Sequence, residues 1–222
     1  MSVELSLITE ARAEKLKVLA ANRQKGLTVI LENIYDPHNL GAVLRTCDSV
    51  GIAEIFALYT VESPDELKKI SGHKSSSGSK KWVDVHIFDD AQKCFTEVRK
   101  KYDKIYGTHL GADSVGLYDL ELNKSVALLF GNENRGMSEE SLALVDGNFI
   151  IPQSGLTKSL NISVACAVSL YEAKRQRLNA GMYGKSFDET NDYHMELFEK
   201  YVYNSRPLKP IESQMSDISK SV

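Results

Sequence analysis

The chain has 222 residues, 42% of them hydrophobic and 26% charged, with a formal net charge of −3; this suits one well-buried globular domain with appendages and is too short for two of typical size. No apolar run approaches the roughly 20 residues that a bilayer span needs, and the start Met1-Ser2-Val3-Glu4-Leu5-Ser6 lacks the basic-then-apolar pattern of a secretory signal. Cys47, Cys94 and Cys166 lie in separate segments with neither a disulfide framework nor metal-ligand spacing, so the expectation is a reducing cytoplasm, no membrane and no metal.

The acidic total argues mildly against a polyanion partner, but its distribution is uneven. Residues 1–26 carry +2, residues 27–169 carry −5, residues 170–185 carry +3 and residues 186–222 carry −3. Two basic segments therefore flank the middle, where they could hold a polyanion or simply be solvated helix faces.

Residues 7–24 place Leu7, Ala11, Leu16, Leu19 and Ala20 at helical spacing, and predict a helical arm. Strands and helices then alternate. Strands are predicted at 27–32, 54–59, 82–88, 104–108, 126–130 and 149–151, and helices at 40–50, 91–102, 139–145 and 160–179, with a further helix near 192–203. Such alternation predicts an α/β fold, a mostly parallel sheet with helices on both faces. The division expected is a helical arm (1–26), a central domain (27–181) and a C-terminal extension (182–222). The stretch from Gly72 to Lys81 has no periodicity and reads as a basic loop. In the last long helix, Leu160, Val164, Ala167, Val168 and Tyr171 are expected to form the buried stripe, with Ala165 and Ser169 on a smooth second face suited to another subunit.

Three polar clusters fall where ligands gather in such sheets, at the carboxyl ends of strands. The first runs from Asn33 to Arg45 and includes His38 and Asn39. Its helix buries Leu40, Val43, Leu44, Cys47 and Val50, which leaves Arg45 roughly 100° from the centre of the apolar face. Arg45 could pair with Asp48, and Asn39 could cap the helix. The second is Gly131-Asn132-Glu133-Asn134-Arg135-Gly136 after the apolar run ending at Phe130. Met137 stands where a phosphate-binding loop needs lysine, so a nucleoside triphosphatase is disfavoured; a plain turn and a nucleoside-holding loop stay open. The third is a nine-residue loop after Ile151 that ends at Ser159 and Asn161; Ser159 could cap the following helix, but capping does not call for Asn161 as well. No G-x-G-x-x-G follows the first strand, which argues against a dinucleotide-binding oxidoreductase.

The runs N-L-G-A-V-L-R, L-F-G-N-E-N-R-G and S-L-N-I-S-V-A, in this order and spacing, resemble the three motifs of the SPOUT superfamily of S-adenosylmethionine-dependent RNA methyltransferases. More narrowly, the chain is similar to the tRNA guanosine-18 2′-O-methyltransferase family from about Leu27 to Tyr183, including Y-E-A-K-R-Q-R-L-N-A-G-M-Y at 171–183. Leu156, where relatives often carry methionine, is a departure. The resemblance implies a deep trefoil knot in the C-terminal part, a rare exception to unknotted topology, and a homodimer acting on tRNA.

The resemblance also implies roles. Arg45 would be the central catalytic residue, with Asn39, Glu133, Ser159 and Asn161 shaping the site. S-adenosyl-L-methionine would lie against Thr108, Gly131, Ile151 and Leu160, with Gly131 letting the backbone approach the nucleoside. Arg12, Arg23, His38, Lys80, Lys81, Lys174, Arg175 and Arg177 would face RNA. A ribosomal-RNA methyltransferase of the same superfamily is the nearest rival, and relatives of that kind usually carry a separate N-terminal domain where only 26 residues precede the first strand here. A catalytically silent RNA-binding protein on the same fold is a second.

Overall fold

In this computed structural model, which describes residues 8–60, 81–157 and 159–205, the apolar runs become seven parallel strands. They are β1 (Leu27–Glu32), β2 (Glu54–Leu58), β3 (Asp84–Phe88), β4 (Lys104–Thr108), β5 (Val115–Gly116), β6 (Val126–Phe130) and β7 (Gly147–Ile150), in the order β3-β2-β1-β6-β4-β7-β5. The helices are α1 (Glu10–Ala21), α2 (Pro37–Val50), α3 (Ala91–Arg99), α4 (Glu139–Leu144), α5 (Ile162–Asn179) and α6 (Asp192–Asn204). A 3-10 turn at Leu117–Asp119 follows β5.

β1 and β6 are the central pair, in register from Leu27 opposite Val126 to Leu31 opposite Phe130. Every residue of both is buried, as strands covered on both faces require. Alternation divides them between two cores. Val29, Leu31, Leu128 and Phe130 pack with Val43, Leu44 and Cys47 of α2 and with Ile162, Cys166 and Leu170 of α5. Ile30, Ala127 and Leu129 pack on the opposite face with Cys94, Phe95 and Val98 of α3.

Helix α2 begins earlier than its apolar spacing suggests, because Asp36 caps it by accepting from the His38 amide at 2.8 Å and Pro37 occupies the first turn. It ends at Gly51, whose φ of 88° and whose approach to the Asn22 carbonyl, 2.6 Å from where a Cβ would sit, both demand glycine. The stripe expected to be buried on α5 is displaced. Ile162, Cys166, Ser169, Leu170 and Ala173 are buried, whereas Val164 and Tyr171 are 47% and 52% exposed. Apolar residues surround most of this helix, so its periodicity does not single out the inward face.

The chain divides into two compact units, residues 22–185 and a second unit of residues 1–21 with 186–222. In the second, α1 packs on α6, with Leu16 and Ala20 buried on one helix and Leu197, Phe198, Tyr201 and Val202 on the other.

Candidate functional site

The carboxyl ends of β1, β6, β4 and β7 lie side by side, and the loops that leave β4, β6 and β7 meet around one cavity of about 580 Å³, a size suited to a nucleoside-sized ligand. Phe130, Phe149, Ile151, Leu160 and Ile162 give it an apolar lining, and Thr108, Asn132, Glu133 and Ser159 supply polar groups. All four expected cofactor positions, Thr108, Gly131, Ile151 and Leu160, line it. The Thr108 hydroxyl is already used, donating to the Leu129 carbonyl at 3.2 Å.

The loop after β6 is closed on itself. Asn132 and Gly136 exchange backbone hydrogen bonds of 2.9 and 2.8 Å, and the Asn132 side-chain oxygen accepts from the amides of Asn134 and Arg135. A Cβ on Gly131 would lie 2.4 Å from the Gly136 carbonyl carbon. Closure of its own turn is thus enough to require glycine there, whatever ligand lies beyond.

This closure carries Glu133 to an exposed tip, where its Oε1 accepts from Asn39 Nδ2 at 2.7 Å. The Asn39 Oδ1 in turn accepts from Asn161 Nδ2 at 3.1 Å, and Asn161 Oδ1 accepts from the Ser163 amide and hydroxyl at 2.9 and 2.6 Å. Three side chains spread over 122 positions thus form one relay whose donors all point toward the Glu133 carboxylate. The two helix caps that the sequence left open are resolved with it. Asp36, not Asn39, caps α2, and Asn161, not Ser159, caps α5. Ser159 is exposed and lines the cavity. Arg45 is exposed on α2 and stands outside the cavity lining.

Two expected RNA contacts are overturned by burial. The guanidinium of Arg23, a residue only 5% exposed, bonds to Asp48 Oδ1 at 2.7 Å and to the carbonyls of Ile52 and Trp82. Arg177 is fully buried, and donates to the carbonyls of Leu122, Lys25, Gly26 and Lys124 at 2.9, 3.2, 2.7 and 2.6 Å. Burial lowers its pKa from the usual arginine value, and four carbonyl dipoles stabilise its charge in place of a carboxylate. Neither side chain can reach a phosphate.

The other basic positions are available in different degrees. Arg12, His38, Lys81 and Arg175 are exposed, while Lys80 lies outside the described residues. Arg175 holds both oxygens of Glu172 at 2.8 Å, which keeps that carboxyl below its ordinary pKa. Lys174 sits 5.4 Å from the ring of Tyr171 and 5.8 Å from that of Tyr183.

Sequence reasoning missed the residues that brace the site. Glu32 ends β1 with no exposed surface, and its Oε1 accepts from the hydroxyls of Ser138 and Ser141 at 2.5 and 3.0 Å, fixing the start of α4 just beyond the Gly131 turn. Among the described residues Asn33 is the one non-glycine with positive φ, 56°, a conformation asparagine tolerates better than most. Its carbonyl accepts from Asn132 Nδ2 at 2.8 Å, so the loop that leads into α2 and the loop bearing Glu133 are joined at their roots. The available signal was a carboxylate and an amide closing an otherwise apolar strand.

Among the described residues no group of three or more His, Cys, Asp or Glu side chains could hold a metal ion, and no helix is long and apolar enough to cross a membrane. Cys47, Cys94 and Cys166 are all buried free thiols; Cys166 is pushed up by its hydrogen bond with Cys47 and by burial.

Residues 26–171 match the SpoU rRNA Methylase family. The chain is 42% identical over 177 residues to a tRNA (guanosine(18)-2'-O)-methyltransferase of Thermus thermophilus, covering 80% of this chain and 89% of the relative. Its fold is similar to that of the Aquifex aeolicus TrmH/SpoU tRNA modifying enzyme, with a TM-score of 0.75 and 30% identity over 90% of this chain and 98% of that one. An AdoMet-bound rRNA methyltransferase from Sinorhizobium meliloti is a more distant likeness, with a TM-score of 0.58 and 29% identity over 71% of this chain and 59% of that one.

Proposed function

The chain belongs to the SpoU methylase family, and from that premise we propose that it methylates the ribose 2′-hydroxyl of guanosine 18 in the D-loop of tRNA, in the cytoplasm, using S-adenosyl-L-methionine. The observation that carries this reading is the relay Glu133–Asn39–Asn161, which joins the turn after β6 to the starts of α2 and α5 beside a nucleoside-sized cavity. The identity of the Thermus thermophilus relative supports the substrate, and the AdoMet-bound neighbour supports the donor.

The cavity fits such a donor. Its apolar lining accepts an adenosine and a methionyl stem, and Thr108, Gly131 and the segment from Ile151 to Leu160 represent the three loops that would hold them. Bound there, S-adenosyl-L-methionine supplies a methyl already activated on a sulfonium, so no metal is needed. What remains for the protein is alignment of the hydroxyl, which can contribute several kcal/mol, and help with its proton.

A guanidinium keeps its proton under nearly all conditions, so Arg45 is not the base. Arg45 grips the phosphate beside the target ribose and stabilises the developing alkoxide, and a phosphate oxygen or water takes the proton. Asn39, held on both sides by Glu133 and Asn161, orients the acceptor, and Ser159 closes the cavity wall. Arg12, His38, Lys80, Lys81, Lys174 and Arg175 hold tRNA phosphates, contacts that position without reading sequence.

The active form is a homodimer built on the exposed stripe Val164, Tyr171 and Leu178 of α5. An apolar face of this kind on a helix that is already packed inward has its simplest explanation in a second copy. The segment from β7 onward is knotted; the placement of β6 between β1 and β4, and of β7 beyond β4, supports that threading. The terminal segments, 1–26 and 182–222, serve as arms for tRNA. Incubating the protein with labelled donor and unmodified tRNA, then mapping the product, tests the proposal. Methyl at the 2′-oxygen of guanosine 18 is expected; a methylated base, another position or no transfer overturns it.

A further inference from the structure

We propose that Glu133 is the specificity-determining residue, a carboxylate that reads the Watson–Crick edge of the target guanine; this rests on the reading that the acceptor is a guanosine in tRNA. Among the described residues that line the cavity, Glu133 is the one that carries a formal charge at neutral pH. It is exposed at the tip of a turn closed by the Asn132–Gly136 bridge, so the backbone beneath it is fixed.

The relay shows how the carboxylate is used. Asn39 Nδ2 donates to Oε1 alone, and Asn39 is itself held from the other side by Asn161. Oε1 keeps a second lone pair, and Oε2 accepts no bond from any described residue. One oxygen is anchored and its partner is presented. A carboxylate accepts hydrogen bonds and donates none, so the complementary ligand places two donors side by side. Among the four RNA bases guanine alone does so on its Watson–Crick edge, through N1–H and the 2-amino group. Adenine and cytosine each pair one donor with an acceptor there, and uracil flanks its single donor with two carbonyls.

A carboxylate at the mouth of a donor pocket could instead face the sulfonium. That placement stabilises a charge which dissipates as the methyl leaves, favouring the ground state over the transition state and slowing the reaction. Position supports the same choice. Glu133 lines the cavity and bonds to Asn39, which stands outside the lining in the first turn of α2, and its own side chain is exposed, so it borders both the cavity and the open surface beside it.

The test compares the purified full chain with Glu133→Gln on two tRNA transcripts, one with guanosine and one with inosine at position 18. Inosine lacks only the 2-amino group, and glutamine still accepts from Asn39, so the relay is kept. The native protein is expected to prefer guanosine by about 10-fold in kcat/KM. In Glu133→Gln that preference falls toward one, through loss on the guanosine transcript, while the affinity for S-adenosyl-L-methionine measured by calorimetry stays within about 2-fold. Equal use of both transcripts by the native protein, an equal loss on both in the variant, or a loss confined to donor affinity overturns the proposal, the last assigning Glu133 to the sulfonium. If the native protein methylates guanosine at another site and leaves position 18 untouched, the reading beneath has failed, and the two transcripts remade at the mapped site decide the role of Glu133.

Discussion

The two ends of the sheet use polar side chains in opposite ways. At the amino ends of the strands two charged side chains are enclosed by partners. Arg177 gives four of its five N–H donors to carbonyls, and Glu54 takes bonds from His86, Lys101 and Tyr102 at 2.8 to 3.0 Å. At the carboxyl ends the relay from Ser163 through Asn161 and Asn39 stops at an exposed carboxylate with an oxygen still presented. A saturated cluster has nothing left to offer a ligand and contributes to stability. An incomplete one costs stability locally and keeps acceptors for a substrate.

Substitution at each end should therefore separate activity from stability. The largest effect is expected at the open end: Arg45→Ala should lower kcat by about 1,000-fold, the scale of losing a charge that stabilises a developing oxyanion, with the thermal midpoint unchanged because the side chain is exposed. Near-native turnover in that variant sinks its assignment. At the closed end Arg177→Ala should do the reverse. Four carbonyls lose their donor in a buried place, which costs about 3 kcal/mol or more in denaturant unfolding, while the folded fraction keeps its kcat. A variant with native stability removes the structural role given to that socket.

The same contrast governs how much could be read from the residues. β1, β4 and β6 are legible to the residue, since buried parallel strands must be continuous apolar runs. The three polar clusters were legible as loops at strand ends. Arg177 was not: on a charged stretch its neighbours Lys174 and Arg175 suggest a basic face, and only the fold brings the carbonyls of Gly26 and Lys124 to it. The inward face of α5 was hidden because both sides of that helix are apolar. Asn161 as a cap was hidden because Ser159 offered the same chemistry two positions earlier. The two-residue β5 has no pattern to read, and the relay itself is a tertiary fact.

A smaller difference concerns pH. Burial alone would raise the Glu54 carboxyl, but hydrogen bonds from His86, Lys101 and Tyr102 and the nearby Lys101 charge outweigh it and hold the pKa at about 2 against an ordinary 4.5. A folded-state pKa below the unfolded one means stabilisation that is complete above about 4.5 and is lost as pH falls toward 2. Unfolding free energy should decline across that window, and Glu54→Gln should flatten the decline by about 1 kcal/mol or more. An identical slope in the variant removes Glu54 from the acid response.

In the proposed reaction Asn39, Glu133 and Asn161 act as one unit. The most direct measurement is a double-mutant cycle in kcat/KM on tRNA with Asn39→Ala, Asn161→Ala and the pair together. If the relay is a unit, each single change costs about 10- to 100-fold and the pair costs little more than the worse of the two. Losses that simply multiply, or single variants that turn over like the native protein, contradict it.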